Sequence, residues 1–365
     1  MKLLDKYIAK NFLTGYGIAF AVLIGLRVLI DLFVNVDEFT EHTGMGVFEV
    51  IKNIVSYYGL NMLLYFRDFA GMITVVAAAF SVGKLVRGGE LIAVMASGVS
   101  LKRIIVPIVA LALVFTAVLV VDQEVLIPSF ATELVRSHDD LPGEETYKVD
   151  FITDANGALI CAQNFDVQSA TLSYPTILTR QKIPNTLRWT VTGRISADKA
   201  VYNFQTQRWD LVNGEYTDKS MAKMPEPTEY FQTDLRPSDI PIRHSEQYKT
   251  LLSSGQLSKL AAVGTKVKDV AQLYSQKHFR ITDPLINIIM LLISLPILVC
   301  RDPRTMKSAI VISFAITTAC YILTFVCKML ATEVIFETVN PGFWAWVPIF
   351  IFGPIAFVEL DSMKT

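Results

Sequence analysis

The stretch Arg87-Gly88-Gly89-Glu90-Leu91-Ile92-Ala93-Val94-Met95-Ala96-Ser97-Gly98-Val99-Ser100 holds the most distinctive arrangement of residues in the chain. Paired glycines at 88 and 89 interrupt a helix, because glycine has the highest backbone entropy to lose. A helix restarting at Glu90 places that carboxylate at its positive end, which is favourable. Leu91, Val94 and Met95 then fall on one face, at i, i+3 and i+4. Gly98 is suited to end the helix in the left-handed conformation, and Ser100 is suited to cap the next one. The product is a short amphipathic helix over about 88–98, headed by a carboxylate and jointed at both ends. Two uses fit it. One is a turn helix resting on lipid. The other is a docking helix, whose apolar face fills a groove in a partner while Glu90 makes a directional charge pair.

A second group of candidates is cationic. Arg27, Arg67 and Lys328 interrupt otherwise apolar runs. Ionisable residues inside a membrane helix are costly and face a cavity or one another. Cations near an outer leaflet would hold a phosphorylated lipid head. Local readings stand beside this one. Asp31 lies four residues from Arg27, a helix-pair spacing, Asp68 follows Arg67 directly, and snorkelling to the interface accounts for all three cations.

Other chemistries find no support in the sequence. The chain has no G-x-x-x-x-G-K-[ST] phosphate loop, H-E-x-x-H, G-x-S-x-G or paired C-x-x-C. Its four cysteines and four histidines show no zinc spacing, and Cys161 stands alone in mid-chain. No metal, cofactor or catalytic residue is expected. A chain that does transport work without a phosphate loop must take its energy from a partner or an ion gradient. The net charge of −1 carries no signature for nucleic acid.

These residues are positioned by a strongly apolar chain. The hydrophobic fraction is 52% and the charged fraction 18%, below the roughly 25% usual in soluble domains. A bilayer core of roughly 30 Å needs about 20 apolar residues in a helix. Six stretches qualify, near 12–34, 54–82, 104–121, 281–299, 308–330 and 343–358. Lys6, Lys10, Lys84, Arg87, Lys102, Arg103, Arg301, Arg304 and Lys307 cluster on one side of these spans, whereas the loop after the first carries Asp37, Glu38, Glu41 and Glu49. By the positive-inside rule both termini are cytoplasmic. The insert between the third and fourth spans is then on the opposite side, the periplasm in a Gram-negative cell. Asn156-Gly157 and Asn213-Gly214 are hairpin signals. Ala200, Tyr202 and Phe204 alternate with Val201, Asn203 and Gln205, and Trp209 and Leu211 flank Asp210. That period of two predicts a half-buried antiparallel sheet. The expected fold is an α-helical membrane protein of six transmembrane helices (3+3) with an inserted β-sandwich or jelly roll. Its expected parts are 1–127, 128–277 and 278–365.

The stretch from Arg87 to Ser100 resembles the signature of the lipopolysaccharide-export permeases, the YjgP/YjgQ (LptF/LptG) family. The run from Ala200 to Phe204 and that from Trp209 to Gly214 resemble the family's periplasmic β-domain. The run from Phe279 to Leu285, with Leu295-Pro296, and that from Phe343 to Pro348 resemble its fourth and sixth helices. The resemblance covers essentially the whole chain. It implies one of two permeases that pair to form the membrane part of an ATP-binding-cassette transporter. The implied partners are a cytoplasmic ATPase dimer, a second permease of the same family and a small bitopic periplasmic protein. The implied cargo is lipopolysaccharide, drawn from the inner membrane and passed to a periplasmic β-bridge. Glu90 occupies the position of the family's coupling glutamate.

Two departures matter. Lysines found in some members at the outer end of the first helix are replaced here by Val34, Asp37, Glu38 and Glu41. The family's lysine contacts to the lipid head therefore do not carry over. Gly71 stands where a proline is common in the second helix, and glycine can supply a bend there. Two other classes compete: a membrane-anchored periplasmic binding or scaffold protein, and a proton-driven secondary transporter. The latter calls for acidic residues deep in several spans, and Asp31, Asp68 and Asp122 lie toward span ends.

Overall fold

In a computed structural model the described residues are 3–40, 47–134, 146–154, 156–183, 189–219, 224–240, 248–263, 267–299, 305–332 and 341–363. Glu41, Arg301 and Arg304 lie outside them, as do the side chains of Asp37, Glu38 and Glu49. The chain divides into two compact units, one of residues 1–126 with 275–365, the other of 127–274.

The first unit is helical. Its elements are α1 (Leu3–Thr40), α2 (Val47–Arg87), α3 (Glu90–Ala96), α4 (Leu101–Val121), and α7 (Val267–Leu298, which begins in the other unit), α8 (Met306–Thr332) and α9 (Pro341–Ser362). Among the described residues six helices are long and apolar enough to cross a membrane, and α3 is the exception. Helices suit this setting because they satisfy every backbone polar group internally. The outward faces are apolar: Phe33, Val311 and Phe357 are all exposed. Inside, Ile8 and Phe12 of α1 meet Ala77, Ala78 and Leu85 of α2, Ile104 and Ile108 of α4, and Leu295 and Leu298 of α7 in one buried cluster. A smaller cluster joins Phe279 of α7 to Cys327 of α8 and Ala345 of α9.

Gly71 serves close approach. A Cβ there would collide with the Asn287 amide oxygen and stand 2.7 Å from Met290 Cε and the Tyr321 hydroxyl. The Tyr321 oxygen accepts a hydrogen bond from the Met72 N–H at 3.1 Å. The glycine thus lets α7 and α8 lie against α2, and α2 continues through it as one helix.

Among the described residues the second unit contains ten antiparallel strands: β1 (Thr146–Thr153), β2 (Leu159–Asp166), β3 (Thr171–Ser173), β4 (Thr176–Lys182), β5 (Trp189–Ser196), β6 (Lys199–Asn203), β7 (Arg208–Val212), β8 (Glu215–Asp218), β9 (Glu226–Pro227) and β10 (Tyr230–Phe231). Short helices α5 (Tyr248–Leu251) and α6 (Ser254–Val263) follow. The strands form one hydrogen-bonded series, β10-β7-β6-β3-β2-β4-β5-β8-β9, with β1 on β2. The two separate sheets of a sandwich are thus joined here. The cause is β2, which pairs with β4 through residues 159–161 and with β3 through 164–166. Each half of β2 starts a wing, and both wings contribute to one core around Phe165, Leu172, Ile177, Ile195 and Trp209. A sheet whose wings share a core must fold over on itself.

Asn156-Gly157 closes the β1–β2 hairpin as expected, with Thr153 opposite Leu159. Asn213-Gly214 does not close a hairpin. β7 and β8 lie in different wings, and Asn213 takes a positive φ of 53° to turn the corner between them. The alternation holds for Ala200, Tyr202, Trp209 and Leu211, all buried. Phe204 departs from it and is exposed, because β6 ends at Asn203 and Phe204 belongs to the following turn.

Candidate functional site

The signature stretch folds as its glycines require. Gly89 has φ +68° and Gly98 φ +80°, so both ends of α3 are left-handed joints. Ser100 occupies the cap position of α4 with extended dihedrals, but its side chain makes no capping hydrogen bond. Instead, Ser97 Oγ donates to the Val94 carbonyl at 2.6 Å.

The apolar face of α3 meets the chain's own helices. Leu91 is 1% exposed, and Val94 and Met95 pack against the same cluster that joins α1, α2, α4 and α7. The sequence left this face to lipid or to a partner's groove; in the bundle Leu91 is buried and Val94 and Met95 are partly buried. The nearest apolar surface wins because hydrophobic burial is non-directional. The face left outward carries Ile92, Ala93, Ala96, Ser97 and Gly98. Glu90 is half-buried beside it, and its Oε1 accepts a hydrogen bond from the Tyr7 hydroxyl at 3.0 Å.

The three cations lie elsewhere in the helical unit, and each has a carboxylate. Arg27 pairs with Asp31 at 3.0 Å, one turn along α1. The pair is tied to α2, because Tyr58 donates to Asp31 at 3.0 Å and the Arg27 guanidinium lies 5.2 Å from the Tyr65 ring centroid. Arg67 pairs with its neighbour Asp68 at 3.0 Å. Lys328 of α8 pairs with Asp283 of α7 at 2.8 Å, and its ammonium stands 5.2 Å from the Phe279 ring centroid.

The sequence reading missed Asp283 and Arg280. Arg280 is nearly buried, donates to the Gln123 carbonyl and pairs with Glu124 at 3.4 Å. Those two acceptors belong to a π-helical turn, Asp122–Leu126, that follows α4. Wider π turns free carbonyls and recur at functional positions. Phe279, Arg280 and Asp283 were all in a stretch singled out by resemblance. Their partners lie 45 to 157 positions away, and no spacing rule reaches that far.

In the β-unit Asp154 is a buried carboxylate. It accepts hydrogen bonds from Asn156 N at 3.0 Å, Ala158 N at 2.7 Å and Thr233 Oγ1 at 2.9 Å. Burial raises its pKa above the usual carboxylate range despite these donors. Among the described residues no cluster of His, Cys, Asp or Glu fits a metal ion.

Six bilayer-length helices, split three and three by an antiparallel β-unit, define an integral membrane protein with one large extramembrane insert. The chain belongs to the lipopolysaccharide export system permease LptF/LptG family, whose model matches residues 6–360. It is a membrane-embedded transport permease. No curated protein matches the chain.

Proposed function

We propose that this chain is one permease of an ATP-binding-cassette transporter that draws lipopolysaccharide, or a related lipid, out of the inner membrane. A cytoplasmic ATPase dimer drives it, a second permease of the family completes the membrane part, and a bitopic periplasmic protein joins them. Both termini and α3 face the cytoplasm. The β-unit faces the periplasm, where its strand edges are suited to extend a partner's sheet toward a periplasmic bridge.

The observation that carries this reading is α3 itself. A seven-residue helix seated by Leu91 on the spans, with Glu90 at its head, is a lever with a charged contact. The partner-facing surface is Glu90 with Ile92, Ala93 and Ala96, and Gly98 is the joint behind it. Leu91, Val94 and Met95 fix the lever to the helices it must move. Arg27 and Arg67 serve the lipid's anionic head by exchanging Asp31 and Asp68 for phosphate, and Lys328 does the same from Asp283.

The test is purification of the full chain with its ATPase. The native chain should retain the ATPase, and Glu90→Arg should weaken the contact by about 2–5 kcal/mol, enough to lose it on a column. A Glu90→Arg complex that stays intact and active would remove the coupling role. A chain that never binds an ATPase would favour a membrane-anchored scaffold instead.

A further inference from the structure

Glu90 is held by a residue 83 positions away. Its Oε1 takes the Tyr7 hydroxyl hydrogen bond, and Tyr7 lies in the second turn of α1. Tyr7 is itself held in place. The Lys84 ammonium stands 5.9 Å from its ring centroid and donates to Asn11 Oδ1, one turn further along α1, at 2.9 Å. On its other side the Glu90 side chain folds back over Gly88. A Cβ at that position would stand 3.3 Å from Glu90 Oε1 and 3.4 Å from Cγ. The Glu90 side chain thus passes over a residue without a side chain to reach the phenol. Its second oxygen makes no hydrogen bond within the described residues.

The backbone route out of α3 is soft. It passes through Gly88 and Gly89, and Gly89 is left-handed at φ +68°. Glycine joints absorb rotation at little cost. The apolar packing beneath α3 is close but non-directional. The Tyr7–Glu90 hydrogen bond is directional and has a charged acceptor, the stronger kind. It ends on α1, the helix that carries Arg27 twenty positions on, roughly 30 Å away at 1.5 Å per residue.

We propose that Tyr7 is a positioning residue for energy coupling. It orients Glu90 toward the ATPase and passes the displacement of α3 directly to α1, bypassing the glycine joint at the end of α2. This rests on the reading of Glu90 as the contact with the ATPase.

The test uses the full chain assembled with its ATPase and partner permease, in proteoliposomes of phosphatidylethanolamine and phosphatidylglycerol carrying lipopolysaccharide. Tyr7→Phe removes the donor and keeps the ring beside Lys84. The ATPase should still co-purify, and its KM for ATP should not change. Lipopolysaccharide released per ATP hydrolysed should fall about five-fold or more, the range of a coupling contact. Tyr7→His restores a donor and should recover a substantial part of the loss. Unchanged release per ATP in Tyr7→Phe overturns the proposal. So does an equal loss in both variants, or a Tyr7→Phe complex that does not assemble, because either makes Tyr7 a packing element alone. Glu90→Arg keeps the two readings apart. If that variant retains its ATPase, the contact role of Glu90 falls. If it loses the ATPase while Tyr7→Phe transports normally, only the Tyr7 link falls.

Discussion

At α3, Glu90 stays half-exposed and, among the described residues, accepts its hydrogen bond from the neutral Tyr7. Roughly 30 Å along α1, Arg27 meets Asp31 at 3.0 Å, and Lys328 and Arg280 likewise have carboxylates of their own. Under the proposed function the first region offers a charge to the ATPase. In the second the cations pair with carboxylates of the chain, so under the same proposal a lipid phosphate has to displace a carboxylate to be held. A cation that can return to its own carboxylate would then release its cargo more easily than one left bare in hydrocarbon. Asp31 and Asp283 act as resting partners of cations, so neither calls for a proton pathway.

The comparison breaks first at Arg280. Arg280→Met removes a nearly buried guanidinium from Glu124 and the Gln123 carbonyl, and should cost about 3 kcal/mol in thermal unfolding of the detergent-solubilised chain. A variant as stable as the native chain would show that these charges are not balanced internally. Lys328→Met and Asp283→Asn, on a half-exposed pair, should each cost about 1–2 kcal/mol, and the double variant clearly less than their sum. Full additivity would dissolve the pair. Arg27→Gln with Arg67→Gln should change stability less than Arg280→Met at each site, because each of these arginines pairs with a carboxylate of its own helix, whereas the Arg280 pair joins two elements. The same double variant should reduce lipopolysaccharide-stimulated ATPase activity of the assembled transporter. Normal stimulation would remove both cations from the lipid path.

The smallest effect belongs to the β-unit. Asp154 binds its proton more tightly in the folded chain than in the unfolded one. Stability linked to it is therefore absent at high pH. It grows as pH falls through the folded pKa, and levels off below the ordinary carboxylate value. Hydrogen exchange of the β1–β2 hairpin, followed across that window, should show the rise, and Asp154→Asn should flatten it.

The sequence made the layout legible because hydropathy and period-two alternation are local. The spans, the insert, the joints at Gly89 and Gly98 and the buried Tyr202 and Trp209 all follow from neighbours a few residues apart. What it could not supply was pairing at a distance. Tyr7 with Glu90 and Asp283 with Lys328 obey no spacing rule. Nor does a helical stripe say what covers it: Leu91, Val94 and Met95 were legible as a face, while the surface beneath them belongs to helices from both ends of the chain. Asn213-Gly214 misled for the same reason, because a left-handed residue serves a corner between wings as well as a hairpin.

The orientation of α3 is open to direct measurement by photo-crosslinking in the assembled transporter. A benzophenone amino acid at Ile92 or Ala96 should crosslink to the ATPase, and one at Val94 should crosslink within the chain to α1, α2 or α4. The reverse pattern, with Val94 reaching the ATPase and Ile92 silent, would contradict the account.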